Sequence, residues 1–242
     1  MNWDFKNTEE LLKLCHDKKK PISEVMINRE MQLGELRRES LIEQVDGILR
    51  VMNTAVDRPI SEPVKSMGGL IGGGANKLNQ LDESKAVCGP VIHRAIVNAL
   101  AVAETNASMG VIVAAPTAGS AGVLPAVLMS LYESYDISVD AIRKGLINAG
   151  AIGYIITRNG SVAGAEAGCQ AEVGSASAMA ASALVEILGG TPEQCCHAAS
   201  IALSNLLGLA CDPVRGLVEV PCQTRNAIGA VGAYTAAELA LA

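Results

Sequence analysis

The stretch Gly168-Cys169-Gln170-Ala171-Glu172-Val173-Gly174-Ser175-Ala176-Ser177-Ala178-Met179-Ala180-Ala181-Ser182-Ala183-Leu184-Val185-Glu186-Ile187-Leu188, closed by Gly189-Gly190, decides the fold. From Cys169 to Leu188 it is nearly all Ala, Ser, Val and Met, which reads as a long apolar helix, and the two glycines end it. Thr191-Pro192-Glu193 then opens a second helix, with Pro in its first turn, running to about Leu207. If these two helices form an antiparallel hairpin, Cys169 and Cys211 meet at its open end although they are far apart in the chain.

The same chemistry extends along the chain. Half of the residues are apolar but only 2% are aromatic, and 24 are glycine. Small side chains let helix axes approach closely, and that closeness must offset the roughly 1 kcal/mol that each mid-helix glycine costs relative to alanine. Upstream, Pro90 begins a helix to about Asn106, another runs from Ser120 or Gly122 to Tyr132, and Ser138 caps one continuing to Arg158. Downstream, a last helix starts near Cys222 or Thr224 and continues to Ala242. Near the N-terminus, Asn7 and Glu10 form a capping box for the first helix. A longer helix is expected from Ile22 to Val56, with Gly34 as its weak point.

These readings predict an all-α fold: a bundle of about eight closely packed Ala/Gly-rich helices with an amphipathic N-terminal arm. The charged residues crowd ahead of Ser66, so the arm is assigned to residues 1–65 and the helical body to 66–242, in one continuous unit. Leu217–Val220 is the lone strand candidate and is too short to build a sheet.

The formal net charge is −6 and no basic patch carries interleaved aromatics, which excludes nucleic acid as a partner. The N-terminus lacks a signal peptide's basic start and apolar run. Seven cysteines without such a signal suit free thiols in a reducing, cytoplasmic setting. The uncharged stretch from Val111 to Leu131 is long enough to span a bilayer. Its Pro116 and Pro125 would break a membrane helix, so it is read as a buried core segment and no membrane is expected.

Cysteine is usually a small buried hydrophobe, and Cys15, Cys88, Cys195 and Cys196 are read that way. Cys169, Cys211 and Cys222 fall instead at helix ends, two of them at N-termini, where the helix dipole favours a thiolate. Three thiolates converging without a fourth would form a metal centre with one open position. No CxxC pair strengthens that reading, and three separate buried thiols remain the alternative.

Gly168-Cys169-Gln-Ala-Glu172-Val-Gly174, Cys211-Asp212-Pro213 and Val220-Pro221-Cys222-Gln-Thr-Arg225-Asn226-Ala together resemble the α subunit of the iron–sulfur-dependent L-serine dehydratases. Ala115-Pro116-Thr117-Ala-Gly119-Ser-Ala-Gly122-Val-Leu-Pro125-Ala and the glycine-rich Gly72–Leu78 loop extend the resemblance, which covers residues 20 to 242. It implies that Cys169, Cys211 and Cys222 hold a [4Fe–4S] cluster with one iron free of cysteine, and that no pyridoxal phosphate takes part. The implied reaction removes the α-proton and the β-hydroxyl of L-serine, giving pyruvate and ammonia after tautomerisation and hydrolysis. The nearest rival in the same chemistry is an iron–sulfur cysteine desulfidase. A non-catalytic module holding structural zinc is the rival from another class.

Glu166 and Glu172 flank Cys169 in apolar surroundings and are the base candidates, with hydrogen bonding to helix ends as their plainer role. Thr117 and Ser120 would bind the substrate carboxylate or simply shape their turn. Arg225 and Asn226 would bind that carboxylate or orient the cluster, and Lys77 is a further substrate contact. His16, His93 and His197 sit in predicted helices and are not expected as ligands. The family's Ser-Ser-His-Thr substrate motif is absent, which implies a β-subunit partner within a homo- or hetero-oligomer. Chains of this family usually continue past the last helix, so a further C-terminal stretch is expected.

Overall fold

The computed structural model describes residues 2–81 and 83–242, and among these are eleven α-helices and no β-strand. The N-terminal helices are α1 (Thr8–Lys18), α2 (Ile22–Gly34), α3 (Arg38–Ser61) and the short α4 (Gly74–Asn79). The body is built from α5 (Gly89–Ala107), α6 (Val123–Ser134), α7 (Val139–Asn159), the four-residue α8 (Gly164–Ala167), α9 (Ser175–Ile187), α10 (Pro192–Ser204) and α11 (Cys222–Leu241). The all-α expectation holds. The count exceeds eight because α4 and α8 are glycine-started single turns and because one expected helix is two.

That helix, expected from Ile22 to Val56, breaks after Gly34. Glu35 takes a left-handed conformation at φ 51°, its N–H closing on the Met31 carbonyl, and the chain restarts at Arg38. Glycine's poor helix propensity makes this the point where the apolar stripe can change direction. At the front of α1, Asn7 Oδ1 accepts the Glu10 N–H at 2.9 Å as expected. Glu10 returns to the Lys6 N–H instead of the Asn7 N–H, so the box is displaced by one residue.

Helix α9 is the axis of the molecule. Every residue from Ser175 to Val185 is buried, and α6, α7, α10 and α11 pack around it. A helix of Ala and Ser can be surrounded in this way because its neighbours come close without large side chains between them. Two of its serines satisfy their hydroxyls within the core: Ser177 donates to the Gly229 carbonyl at 2.8 Å and Ser182 to Asn148 Oδ1 at 2.7 Å. Gly229 on α11 shows how tight the packing is, since a Cβ there would stand 2.7 Å from a Val173 methyl.

The N-terminal helices share this core. Phe5, Leu11, Ile22, Val25, Met52 and Val56 belong to the same apolar cluster as Ala180 and Leu184 of α9. Arg29 fastens the first residues by pairing with Asp4 at 2.9 Å and lying 3.8 Å over the Tyr154 ring. The segment from Val123 to Leu131 is entirely buried, as expected of a core helix, whereas Val111 is exposed. Among the described residues no helix is long and apolar enough to cross a membrane.

Candidate metal centre

Cys169 stands at the entrance to a π-helical turn, Gln170–Gly174, that runs directly into α9. Such turns carry one residue more than an α-turn and are frequent at functional sites. Ahead of it, Gly168 at φ 78° lets the chain pass against the loop that follows α10. A Cβ there would meet the Leu209 carbonyl oxygen at 2.7 Å, so only glycine fits. The loop is stitched to the π turn by Gln170, whose N–H donates to the Leu209 carbonyl and whose Oε1 accepts the Gly208 N–H, both at 2.9 Å. This closes the α9–α10 hairpin and sets Cys211 beside Cys169.

The sulfurs of Cys169 and Cys211 and a carboxylate oxygen of Glu172 lie within 4.8 Å of one another. Cys222, the first residue of α11, stands outside that group but near enough to feel its charge. Its thiol is pushed up to about 11, chiefly by burial and then by the negative charges of Cys169, Glu172 and Cys211. Cys169 is also raised, because burial outweighs the pull of the Arg225 guanidinium. Arg225 donates to Cys169 Sγ at 3.2 Å and to the Ala210 carbonyl at 2.9 Å, and pairs with Asp212 at 2.6 Å. It is thus spent on orienting two cysteine segments.

Glu172 is half-buried, and its Oε1 accepts the Thr117 hydroxyl at 2.6 Å. Room for the carboxylate comes from two glycines on separate segments. A Cβ on Gly164 would stand 2.2 Å from Glu172 Oε2, and one on Gly119 2.8 Å from Oε1. The Thr117 turn is held in place by Asn226, which donates to the Gly119 and Cys222 carbonyls at 2.8 Å each and accepts the Gly122 N–H at 2.9 Å. Asn226, considered above for the substrate carboxylate, therefore has its amide committed to joining α11 to the turn. Ser120 is fully buried, with its hydroxyl 3.3 Å from the Ala115 carbonyl and 3.2 Å from Thr117 Oγ1.

With this geometry in view, the comparisons decide the family. The serine dehydratase alpha chain family matches residues 17–242. The chain belongs to the serine dehydratase alpha chain family. A probable L-serine dehydratase alpha chain of Bacillus subtilis is 49% identical over 98% of this chain and 79% of its own length. The L-serine dehydratase alpha chain of Peptoniphilus asaccharolyticus is 42% identical over 96% of this chain and 80% of its own. An L-serine dehydratase of Streptomyces coelicolor is 41% identical, and this chain spans 53% of its length.

In this alpha-chain family member Glu166 lines an open cleft together with Gly168, Gln170 and Cys211. Glu166 is exposed on α8 and accepts the Ser161 hydroxyl at 2.6 Å. Lys77 is exposed on α4, and among the described residues no hydrogen bond ties it to the cysteines. Cys15, Cys195 and Cys196 are buried elsewhere in the core, where desolvation raises all three thiols and carries Cys15 and Cys196 to about 12. Sequence reasoning missed Asp212 and Gln170 as organisers of the cysteine loop. The Cys-Asp-Pro and Cys-Gln neighbourhoods were the available signal.

Proposed function

We propose that this chain is the catalytic alpha chain of an iron–sulfur L-serine dehydratase, which eliminates water from L-serine to yield pyruvate and ammonia. The supporting observation is that Cys169, Cys211 and the Glu172 carboxylate lie within 4.8 Å of one another, with Cys222 at the start of α11 near enough to feel their charge. The donor set suits an iron–sulfur cluster: three thiols, one of them exposed, and a cationic Arg225 that offsets thiolate charge. Cys169, Cys211 and Cys222 would hold the cluster. When bound, an iron free of cysteine supplies Lewis-acid assistance to the departure of a poor leaving group such as the serine hydroxyl.

The residues of the chain do the rest. Glu172 takes the α-proton at Oε2, while the Thr117 hydroxyl on Oε1 fixes the carboxylate plane. Gly119 and Gly164 keep that carboxylate close-packed yet unobstructed. Asn226 and Ser120 hold the Thr117 turn, and Arg225 sets the Cys169 and Cys211 segments in register. No lysine Schiff base is required, so the reading needs no pyridoxal phosphate. Cytoplasmic, oxygen-sensitive activity with a β-chain partner completes the proposal. The name of the alpha-chain relatives supports the partner.

The test is anaerobic reconstitution with iron and sulfide in the presence of the β chain, followed by pyruvate formation from L-serine and sulfide formation from L-cysteine. Brown protein that makes pyruvate is the expected result. Alanine at Cys169, Cys211 or Cys222 should abolish the visible absorbance, whereas Cys195→Ala should preserve it. A colourless chain carrying one zinc, or equal loss in all four variants, would overturn the reading.

A further inference from the structure

The segment carrying Cys222 is gripped from both sides by buried carboxylates that also hold the glycine-rich loop. Glu219, three residues before the cysteine, is 2% exposed. Its Oε2 accepts the Ser66 hydroxyl at 2.7 Å and the Leu70 N–H at 2.9 Å, and its Oε1 accepts the Gly68 N–H at 2.6 Å. The Ser66 hydroxyl oxygen in turn accepts the Ile71 N–H at 3.3 Å, so the loop is wrapped around one carboxylate. Gly68 is required for this fit, because a Cβ there would stand 2.7 Å from Glu219 Oε1. The main chain of Glu219 opens α11, its carbonyl accepting the Gln223 N–H at 2.9 Å.

On the other side of the cysteine, the Gln223 side chain donates to Glu104 Oε1 at 2.9 Å. That same oxygen accepts the N–H groups of Gly74 and Ala75 at 2.7 and 3.2 Å. Glu104 is fully buried, and its second oxygen has no partner among the described residues. Burying two carboxylates is costly unless donors replace water. Here the donors come from the loop spanning residues 66–75, and both carboxylates engage the turn bearing Cys222. The loop is therefore a seat for that turn.

We propose that Glu219 is a positioning residue for Cys222, holding the third thiol in register with Cys169 and Cys211 by clamping the α11 entrance to the glycine-rich loop. Both carboxylate oxygens of Glu219 accept hydrogen bonds, so a glutamine cannot replace it without loss. In either orientation of the amide, the NH2 faces a backbone N–H that has lost its acceptor. The inference rests on the cluster reading only for its consequence to iron binding. Its direct test concerns the thiol itself.

The experiment compares the full chain with its Glu219→Gln variant, cluster-free and anaerobic, by timed alkylation with iodoacetamide at pH 8 and cysteine-resolved mass spectrometry. Cys222 should react about tenfold faster in the variant, the scale of one lost buried hydrogen bond to a charged group. Cys15, Cys195 and Cys196 are buried controls and should keep their wild-type rates. On reconstitution the variant should also retain less iron per chain. A Cys222 rate within about twofold of wild type, or a matching rise at all the buried thiols, overturns the proposal. Should Glu219→Gln fail to fold, Ser66→Ala removes one donor to Glu219 together with the acceptor of the Ile71 N–H, leaves the two backbone donors to Glu219, and decides by the same criteria with a smaller effect. A wild-type chain that takes up zinc in place of iron and sulfide would end the cluster reading and leave the alkylation result standing.

Discussion

Arg225 satisfies a sulfur, a carbonyl and a carboxylate at once, and those three acceptors lie on the two segments that bring Cys169 and Cys211 together. Hydrogen bonds to a charged donor contribute about 1.5–3 kcal/mol where they are shielded from water. Arg225→Ala should therefore loosen the Leu209–Asp212 loop without unfolding the body. Amide exchange in peptides covering residues 205–213 should rise about tenfold or more, with α9 unchanged. A second residue-scale test addresses Glu172. Gly164→Ala places a methyl where Oε2 sits, and the carboxylate must swing aside. With the β chain present, pyruvate formation should fall by about tenfold to a hundredfold, the effect of roughly 1 Å of misplacement, while the urea midpoint holds. Cys169, Cys211 and Cys222 stood out in the sequence as candidates because they fell at helix ends. Spacing alone left separate buried thiols equally open, and only the family resemblance singled them out as a set. Glu219 did not stand out, because Leu217–Val220 reads as a strand fragment when nothing reveals that the glutamate points into a loop some 150 residues upstream.

Among the elements, the helices were readable wherever small apolar residues ran uninterrupted or a cap was explicit, as at Ser138, whose hydroxyl accepts the Ala141 N–H, and at Thr191 with its complete capping box. The breaks were harder. Gly34 was recognisable as a weak point, yet whether a helix tolerates a glycine depends on what packs across it. The π turn after Cys169 leaves no trace in composition, although it has Cys169 at its entrance and Glu172 within it. Its packing makes a prediction. Gly229 on α11 faces Val173 in the π turn and Val123 at the start of α6, both stiff β-branched side chains. Gly229→Ala should cost about 1–3 kcal/mol by overpacking, outweighing alanine's better helix propensity. Urea denaturation measures this, and a variant as stable as wild type would show that α11 can slide relative to α9.

For the molecule as a whole, the two buried carboxylates around Cys222 should act oppositely on stability as pH changes. Burial pushes the Glu104 carboxyl above its ordinary 4.5, against the N–H groups of Ala75 and Gly74 and the Gln223 amide. Glu219 also feels burial, but the Ser66 hydroxyl and the N–H groups of Gly68 and Leu70 outweigh it and hold its carboxyl below 4.5. A raised carboxyl keeps more protons in the folded chain than in the unfolded one. Its contribution is therefore complete below pH 4.5 and is lost as pH rises through the folded value. A lowered carboxyl does the reverse: its contribution is complete above pH 4.5 and is lost as pH falls through the folded value. Other carboxylates shift as well, Glu133 and Glu186 upward and Asp4 and Glu24 downward, so the wild-type pH curve alone cannot separate the two. The difference between variant and wild type can, because that background cancels. Glu104→Gln should gain on wild type as pH rises from about 4 to 7, and Glu219→Gln should gain as pH falls from about 5 to 3, each followed by chemical denaturation. Variant curves running parallel to wild type would mean that neither carboxylate changes its proton affinity on folding, and that the loop is held by shape alone.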